Sequence, residues 1–195
     1  KNFSLVAVVM VMFLLSAFNA LAQQSGKPNI LIIMTDQQTA DAMSAAGNKD
    51  LHTPAMDKLA RNGVRFTRAY CAQPLCTPSR TAIMSGKMPF ETGFMGNSPE
   101  KDGLWPDSLL MMGKIFQQGG YQTGYVGKWH LPVPTSKISQ HGFGYIENTN
   151  FLDYNDGATP SFCARFIKEN KEKPFLLVAS FLNPHDICEW ARDEA

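Results

Sequence analysis

Hydrophobic and polar positions divide this chain into unbroken apolar runs and stretches with a helical repeat. Leu5 to Leu15 is an apolar run with Lys1 ahead of it and Ala20-Leu21-Ala22 behind, followed by Gln23-Gln24-Ser25-Gly26. The run is shorter than the ~20 residues of a membrane span. Its positive start, short apolar core and small-x-small end predict a secretory signal peptide over 1–22. No cysteine stands at the cleavage point, so no lipid anchor is expected and no stable membrane anchor remains after cleavage. Asn29–Thr35 (NILIIMT) is continuously apolar, as in a parallel strand buried on both faces. Thr53-Pro54 predicts a helix with Thr as N-cap and Pro at the first position, ending at Gly63. Val64–Tyr70 is rich enough in β-branched and aromatic residues to predict a short strand. Pro78 opens a second short helix that runs to Gly86. From Ser108 to Gln118 the spacing places Leu109, Met112 and Phe116 on one helical face, and Gly119-Gly120 stops it. Gln122–Gly127 predicts a strand, Ser161 caps a helix carrying Phe162, Phe166 and Ile167, and Phe175–Phe181 predicts a last buried strand.

Strands that alternate with helices imply an α/β domain with a mostly parallel sheet flanked by helices. Ligands of such sheets bind beyond the carboxyl ends of the strands, so the residues that follow each strand matter most. After the first come Asp36 and Gln37, after the third Lys128, Trp129 and His130, and after the last Asn183, Pro184 and His185. The helix opened by Pro78 brings Cys76 to its N-terminal end. Composition narrows the picture. Of 195 residues 44% are hydrophobic and 18% charged, which fits a globular domain and excludes a disordered one. Lys+Arg is 18 and Asp+Glu 17, so no basic excess points to nucleic acid. Four cysteines are too few for a disulfide scaffold. A pairing among Cys71, Cys163 and Cys188 stays open, and no cysteine–histidine spacing matches a zinc site.

Cys76-Thr77-Pro78-Ser79-Arg80, continued by Thr81-Ala82-Ile83-Met84-Ser85-Gly86, resembles the sulfatase signature, a Cys-x-Pro-x-Arg pattern with a hydrophobic-Ser/Thr-Gly ending. Three further blocks resemble the same family in the same order: Lys27-Pro28-Asn29-Ile30 leading to Asp36, Gly120-Tyr121-Gln122-Thr123 through Gly127-Lys128-Trp129-His130-Leu131, and Pro174-Phe175 through Pro184-His185. The resemblance covers nearly all of 27–190 and implies the alkaline-phosphatase-like fold, with 23–195 as the N-terminal part of the catalytic domain. It implies that Cys76 is oxidised to formylglycine by a maturation enzyme that reads Pro78 and Arg80. One hydroxyl of the hydrated aldehyde would attack sulfur, and loss of the other proton would then release sulfate and restore the aldehyde. A helix N-terminus suits an oxyanion, and Arg80, one turn on, would hold the modified side chain. Asp36, with Gln37 and the oxygen that replaces the Cys76 thiol, would take part in a calcium site. The family commonly has a second acid where this chain has Gln37, and Pro132 stands where many relatives have Gly. Lys128 would contact sulfate and diol, and His130 would orient or deprotonate the diol. Alternation in an extended segment would put Lys128 and His130 on one side. His185 would protonate the leaving alcohol.

The remaining candidates read as structural. His52 and His141 are expected at the surface or in loops, Trp105 and Trp190 as packing residues, and Phe116, Phe162 and Phe166 in the core. Ser79 has no base beside it. The function implied is a sulfuric ester hydrolase, exported to the periplasm or beyond, acting on a sulfated carbohydrate. A phosphodiesterase or phosphonate hydrolase of the same superfamily, and an inactive sulfatase-like binding protein or remnant, are the other readings. The resemblance also implies that further metal ligands and a sulfate-binding lysine follow the His185 block, so the chain is expected to be a fragment, inactive alone, with an unpaired sheet edge.

Overall fold

The computed structural model describes residues 26–98, 105–148, 156–188 and 191; the expected signal peptide and Trp190 lie outside them. Four parallel strands form one sheet in the order β1-β4-β2-β3, with β1 Ile30–Asp36, β2 Gln122–Gly127, β3 Tyr145–Glu147 and β4 Phe175–Pro184. Ile32 of β1 and Tyr125 of β2 both pair with Val178, so β4 is bonded on both edges. The described residues also form six α-helices: α1 Pro54–Asn62, α2 Cys76–Ser85, α3 Pro89–Thr92, α4 Met112–Gln118, α5 Ile138–His141 and α6 Thr159–Asn170. None of the described helices is long and apolar enough to cross a membrane.

Alternation along β4 explains why that strand is apolar throughout. Leu176 and Val178 point into one cluster with Met84, Met111, Tyr125, Trp129 and Phe143, while Phe175, Leu177 and Ala179 point into the other, with Val126, Cys163 and Phe166 of α6. A strand covered on both faces has no place for a polar alternation. β1 differs, because it is an edge strand of the described sheet. Ile30, Ile32 and Met34 lean on the first cluster, and Leu31 and Ile33 stand largely exposed. The continuous apolar run predicted burial on both faces, and only one face is covered.

Other elements also depart from the sequence pattern. Val64–Tyr70 forms no strand, and Val64, Phe66 and Tyr70 are 80%, 79% and 88% exposed. Strand propensity needs a neighbouring strand to act on, and none pairs with this segment among the described residues. β3 has only three residues, too few for a period-2 pattern to register. The second helix begins at Cys76, two residues before Pro78, with Leu75 as N-cap. Proline fits there because a first-turn N–H has no intrahelical acceptor in any case. Likewise α4 begins at Met112, although Leu109 still packs on the core, and α6 begins at Thr159 with Pro160 in its first turn. Thr53 precedes α1 as expected, but its hydroxyl bonds Ser44 and Asp57 and leaves the helix N–H groups alone.

His141 is fully buried, which corrects its expected surface or loop position. Its Nδ1 accepts from the Phe143 N–H at 3.0 Å, Nε2 lies 3.0 Å from the Thr135 carbonyl, and the ring meets Trp129 edge-on. Burial lowers its pKa and keeps it neutral, the form in which one ring nitrogen can accept. Trp105 is buried and stacked on Phe94, and Phe166 lies in the core, as expected, while Phe116 and Phe162 pack at its margin.

Gly127 closes β2 at φ +99°, and a Cβ there would meet the Ser180 carbonyl oxygen at 1.9 Å. Gly127→Ala should therefore cost on the order of 3 kcal/mol or more, combining a strained backbone with a backbone clash. A urea midpoint unchanged from the parent would contradict this.

Candidate active site

The carboxyl ends of β1, β2 and β4 and the N-terminus of α2 meet at one place. Asp36 is the last residue of β1 and is buried. Its Oδ2 accepts from Arg80 Nη2 at 2.8 Å and from Lys128 Nζ at 2.7 Å. Both cations are buried too, so one carboxylate faces two charges and the site carries a net positive charge. Burial works against the charged form of Asp36. The hydrogen bonds from Lys128 and Arg80, together with their charges, outweigh it and hold the carboxyl below its usual range.

Cys76 opens α2. Its Sγ lies 3.8 Å from Asp36 Oδ1 and 3.7 Å from Lys128 Nζ. The helix end is held from outside, since Asn97 Oδ1 accepts the Thr77 N–H at 3.0 Å and Leu75 supplies no side-chain cap. Arg80 follows Cys76 by one turn of α2 and is buried. Its Nη1 donates to the Lys128 carbonyl at 2.7 Å, Ser180 Oγ at 2.8 Å and the Tyr125 hydroxyl at 3.2 Å, while Nη2 takes Asp36. Tyr125 and Ser180 also donate to the Lys128 carbonyl, at 2.6 and 2.9 Å. A guanidinium offers five donors in a fixed plane, and here that plane joins β1, β2 and β4. Burial, against the opposing charge of Arg80, raises the Tyr125 pKa and keeps its hydroxyl protonated.

The segment after β2 is not extended: Gly127 has φ +99° and His130 φ +44°. Lys128 and His130 therefore do not converge by alternation. His130 still faces the same charges, and burial first, then Lys128 and Arg80, lower its pKa. Its Nδ1 is buried with no hydrogen-bond partner among the described residues. His185 follows β4, and one ligand atom from each of Asp36, Cys76 and His185 lies within 4.8 Å of the other two. Gln37 sits apart. It is exposed at φ +62°, and its amide nitrogen donates to Cys188 Sγ at 3.4 Å. All four cysteines are free thiols.

Tyr125, Ser180 and Asn97 were not singled out by the sequence. Each acts on a residue 20 to 100 positions away, with no local pattern to mark it.

Two outcomes follow from the Asp36 centre. Arg80→Ala should cost about 3–5 kcal/mol, because it leaves buried polar partners uncompensated. A depressed carboxyl pKa gives stability that is complete above the unfolded value and is lost as pH falls through the folded one. In buffer without divalent cations, the difference in unfolding free energy between the parent and Asp36→Asn should therefore shrink as pH drops below about 4. A difference independent of pH from 7 to 3 would show that Asp36 is not held ionised by its partners.

A model of the sulfatase family matches residues 28–194. The ulvan-active sulfatase of Formosa agariphila is 35% identical over 186 residues, covering 82% of this chain and 36% of the relative. The delta 4,5-hexuronate-2-O-sulfatase of Bacteroides thetaiotaomicron is 32% identical over 191 residues, covering 93% of this chain and 39% of the relative. Among solved structures, BT4656 in complex with its substrate D-glucosamine-2-N,6-O-disulfate superposes with a TM-score of 0.69 at 33% identity, over 82% of this chain and 35% of that one. The chain thus spans less than two fifths of the length of these proteins. Its sheet and flanking helices are those of the alkaline-phosphatase-like fold, and with 167 of its 195 residues matched and the four sequence blocks folded onto one cluster, the chain belongs to the sulfatase family.

Proposed function

We propose that the protein containing this chain hydrolyses sulfate esters of carbohydrates, with Cys76 in its oxidised form as the nucleophile. The observation that carries this reading is the position of Cys76, on a helix N-terminus with Lys128 Nζ 3.7 Å and Asp36 Oδ1 3.8 Å from its sulfur. As formylglycine, made by a maturation enzyme, position 76 would supply a hydrated aldehyde able to attack sulfur and later shed the sulfate. Arg80 and Lys128 against the single carboxylate of Asp36 favour an anionic group beside that position. Lys128 reaches both Asp36 and Cys76 and is the group placed to hold a sulfate oxygen. A His130 kept neutral by burial and by nearby cations can accept a proton from the diol. His185 is the acid for the departing alcohol. Arg80 aligns this set through Asp36 and the Lys128 carbonyl.

The donors fit a divalent cation in part. Asp36 Oδ1 and the oxygen that oxidation places at position 76 are hard ligands of the kind calcium takes, and the ion would add positive charge beside the ester. Calcium uses six to eight oxygens, so these two would be a minority of its shell. Gln37, turned toward Cys188, contributes only if its amide rotates away. A carbohydrate substrate is supported by the ulvan, hexuronate and glucosamine named for the similar proteins. Export, supported by residues 1–22, fits an enzyme acting on polymers outside the cell.

Tandem mass spectrometry of the tryptic peptide Ala69–Arg80, after co-expression with a formylglycine-generating enzyme, should place an aldehyde at position 76 and leave Cys71 a thiol. An unmodified Cys76 beside a converted control would remove the nucleophile from this reading. In the whole protein, Cys76→Ala should abolish turnover of 4-nitrophenyl sulfate, and the parent should prefer that ester over the corresponding phosphonate; the reverse preference would move the assignment to a phosphonate hydrolase.

A further inference from the structure

The carboxyl end of β4 is irregular. Met34 of β1 pairs with Ser180, but Asp36 pairs with Pro184, so a two-residue step on β1 stands against a four-residue step on β4. Extra residues in one strand leave their backbone groups without ladder partners, and such bulges re-aim the side chains that follow. The Leu182 and Asn183 N–H groups find an acceptor outside the sheet. Asp156 Oδ1 accepts from Leu182 N at 2.7 Å, and Oδ2 accepts from Asn183 N at 2.7 Å and Asn183 Nδ2 at 2.8 Å. The His185 N–H then donates to the Leu182 carbonyl at 3.0 Å, two residues past Asn183.

Asp156 lies just ahead of α6 yet does not cap it. Ala158 is the N-cap, no side chain caps the helix, and the Asp156 carbonyl accepts the Thr159 N–H. Its carboxylate is turned wholly to β4. Only a carboxylate presents acceptors on both oxygens; an amide would set an NH2 against two of the three donors or lose the third.

We propose that Asp156 is a positioning residue of the active site: it fixes the β4 bulge and thereby places His185 beside Asp36 and Cys76. This rests on the reading of His185 as the acid that protonates the leaving alcohol. An acid matters most where the leaving group is poor, so the test is a series of substituted phenyl sulfates, from 4-nitrophenyl to phenyl, turned over by the whole protein. His185→Ala should lower kcat on phenyl sulfate far more than on 4-nitrophenyl sulfate. Asp156→Asn should show the same selectivity, about tenfold or more between the two esters with little change in KM, since a small misplacement of a catalytic group is costly. The double variant should add little to His185→Ala. Hydrogen exchange of the Leu182 and Asn183 amides, read without turnover, should quicken in Asp156→Asn while β2 stays protected.

Selectivity in His185→Ala but an equal loss on both esters in Asp156→Asn would overturn the positioning role and leave the acid role standing. No selectivity in His185→Ala would overturn the acid role and the proposal that depends on it. Unchanged exchange at Leu182 and Asn183 would show that Asp156 does not hold the bulge. If Asp156→Asn does not fold, Asn183→Ala removes one of the three bonds, and the same ester ratio decides.

Discussion

One buried oxygen organises the catalytic end of this molecule. Asp36 Oδ2 accepts from Arg80 and from Lys128 within 2.8 Å, and all three side chains are shielded from water. Burying a charge is tolerable only when it is paired and hydrogen-bonded. Arg80 meets that condition with Nη2 on Asp36 and Nη1 directed at the Lys128 carbonyl, Ser180 and Tyr125. The result ties the ends of three adjacent strands to the N-terminal half of α2. The contacts are shared, with the Lys128 carbonyl alone taking three donors, and this mutual satisfaction makes the arrangement rigid where it is also polar.

That rigidity has a chemical consequence. Two cations share one carboxylate, and the surplus positive charge lies beside Cys76 at the positive end of a helix. Preorganised charge of this kind acts on an anion without having to rearrange. The same field lowers the His130 pKa after burial has already done so, and gives a neutral imidazole next to fixed cations. The left-handed backbone at Gly127 and His130 bends the chain over the cluster, while Trp129, held at the Val133 carbonyl and against His141, anchors the bend in the core.

A second fixed point lies on the other side. Asp156 gathers the N–H groups released by the bulge of β4, at the register where Asp36 pairs with Pro184. The two aspartates thus work in opposite senses. Asp36 is satisfied by side-chain cations and Asp156 by donors from the bulged strand, and His185 meets both, its ring near Asp36 and its N–H on the Leu182 carbonyl.

Much of this was legible in the chain itself. Apolar runs identified β1 and β4, and Gln122–Gly127 was legible as a strand between a glycine stop and the Gly127 turn. The strand-end rule then collected Asp36, Lys128, His130 and His185, and the Cys76–Gly86 signature supplied the family, since its residues are read locally. What the sequence could not decide depends on partners far along the chain. Val64, Phe66 and Tyr70 carry strand propensity but have no strand beside them, so propensity had nothing to express. His141 is polar yet fully buried, because Phe143 and Thr135 satisfy both its nitrogens. Arg80 follows Cys76 by one helical turn, but its direction was fixed by Asp36, Ser180 and Tyr125. Gln37 adjoins Asp36 in sequence and turns instead to Cys188. Residue type and spacing determined which groups could do the chemistry; only the packing of strands and helices distant in the chain decided which of them face one another, because hydrogen-bond geometry at buried sites is satisfied in space and not along the chain.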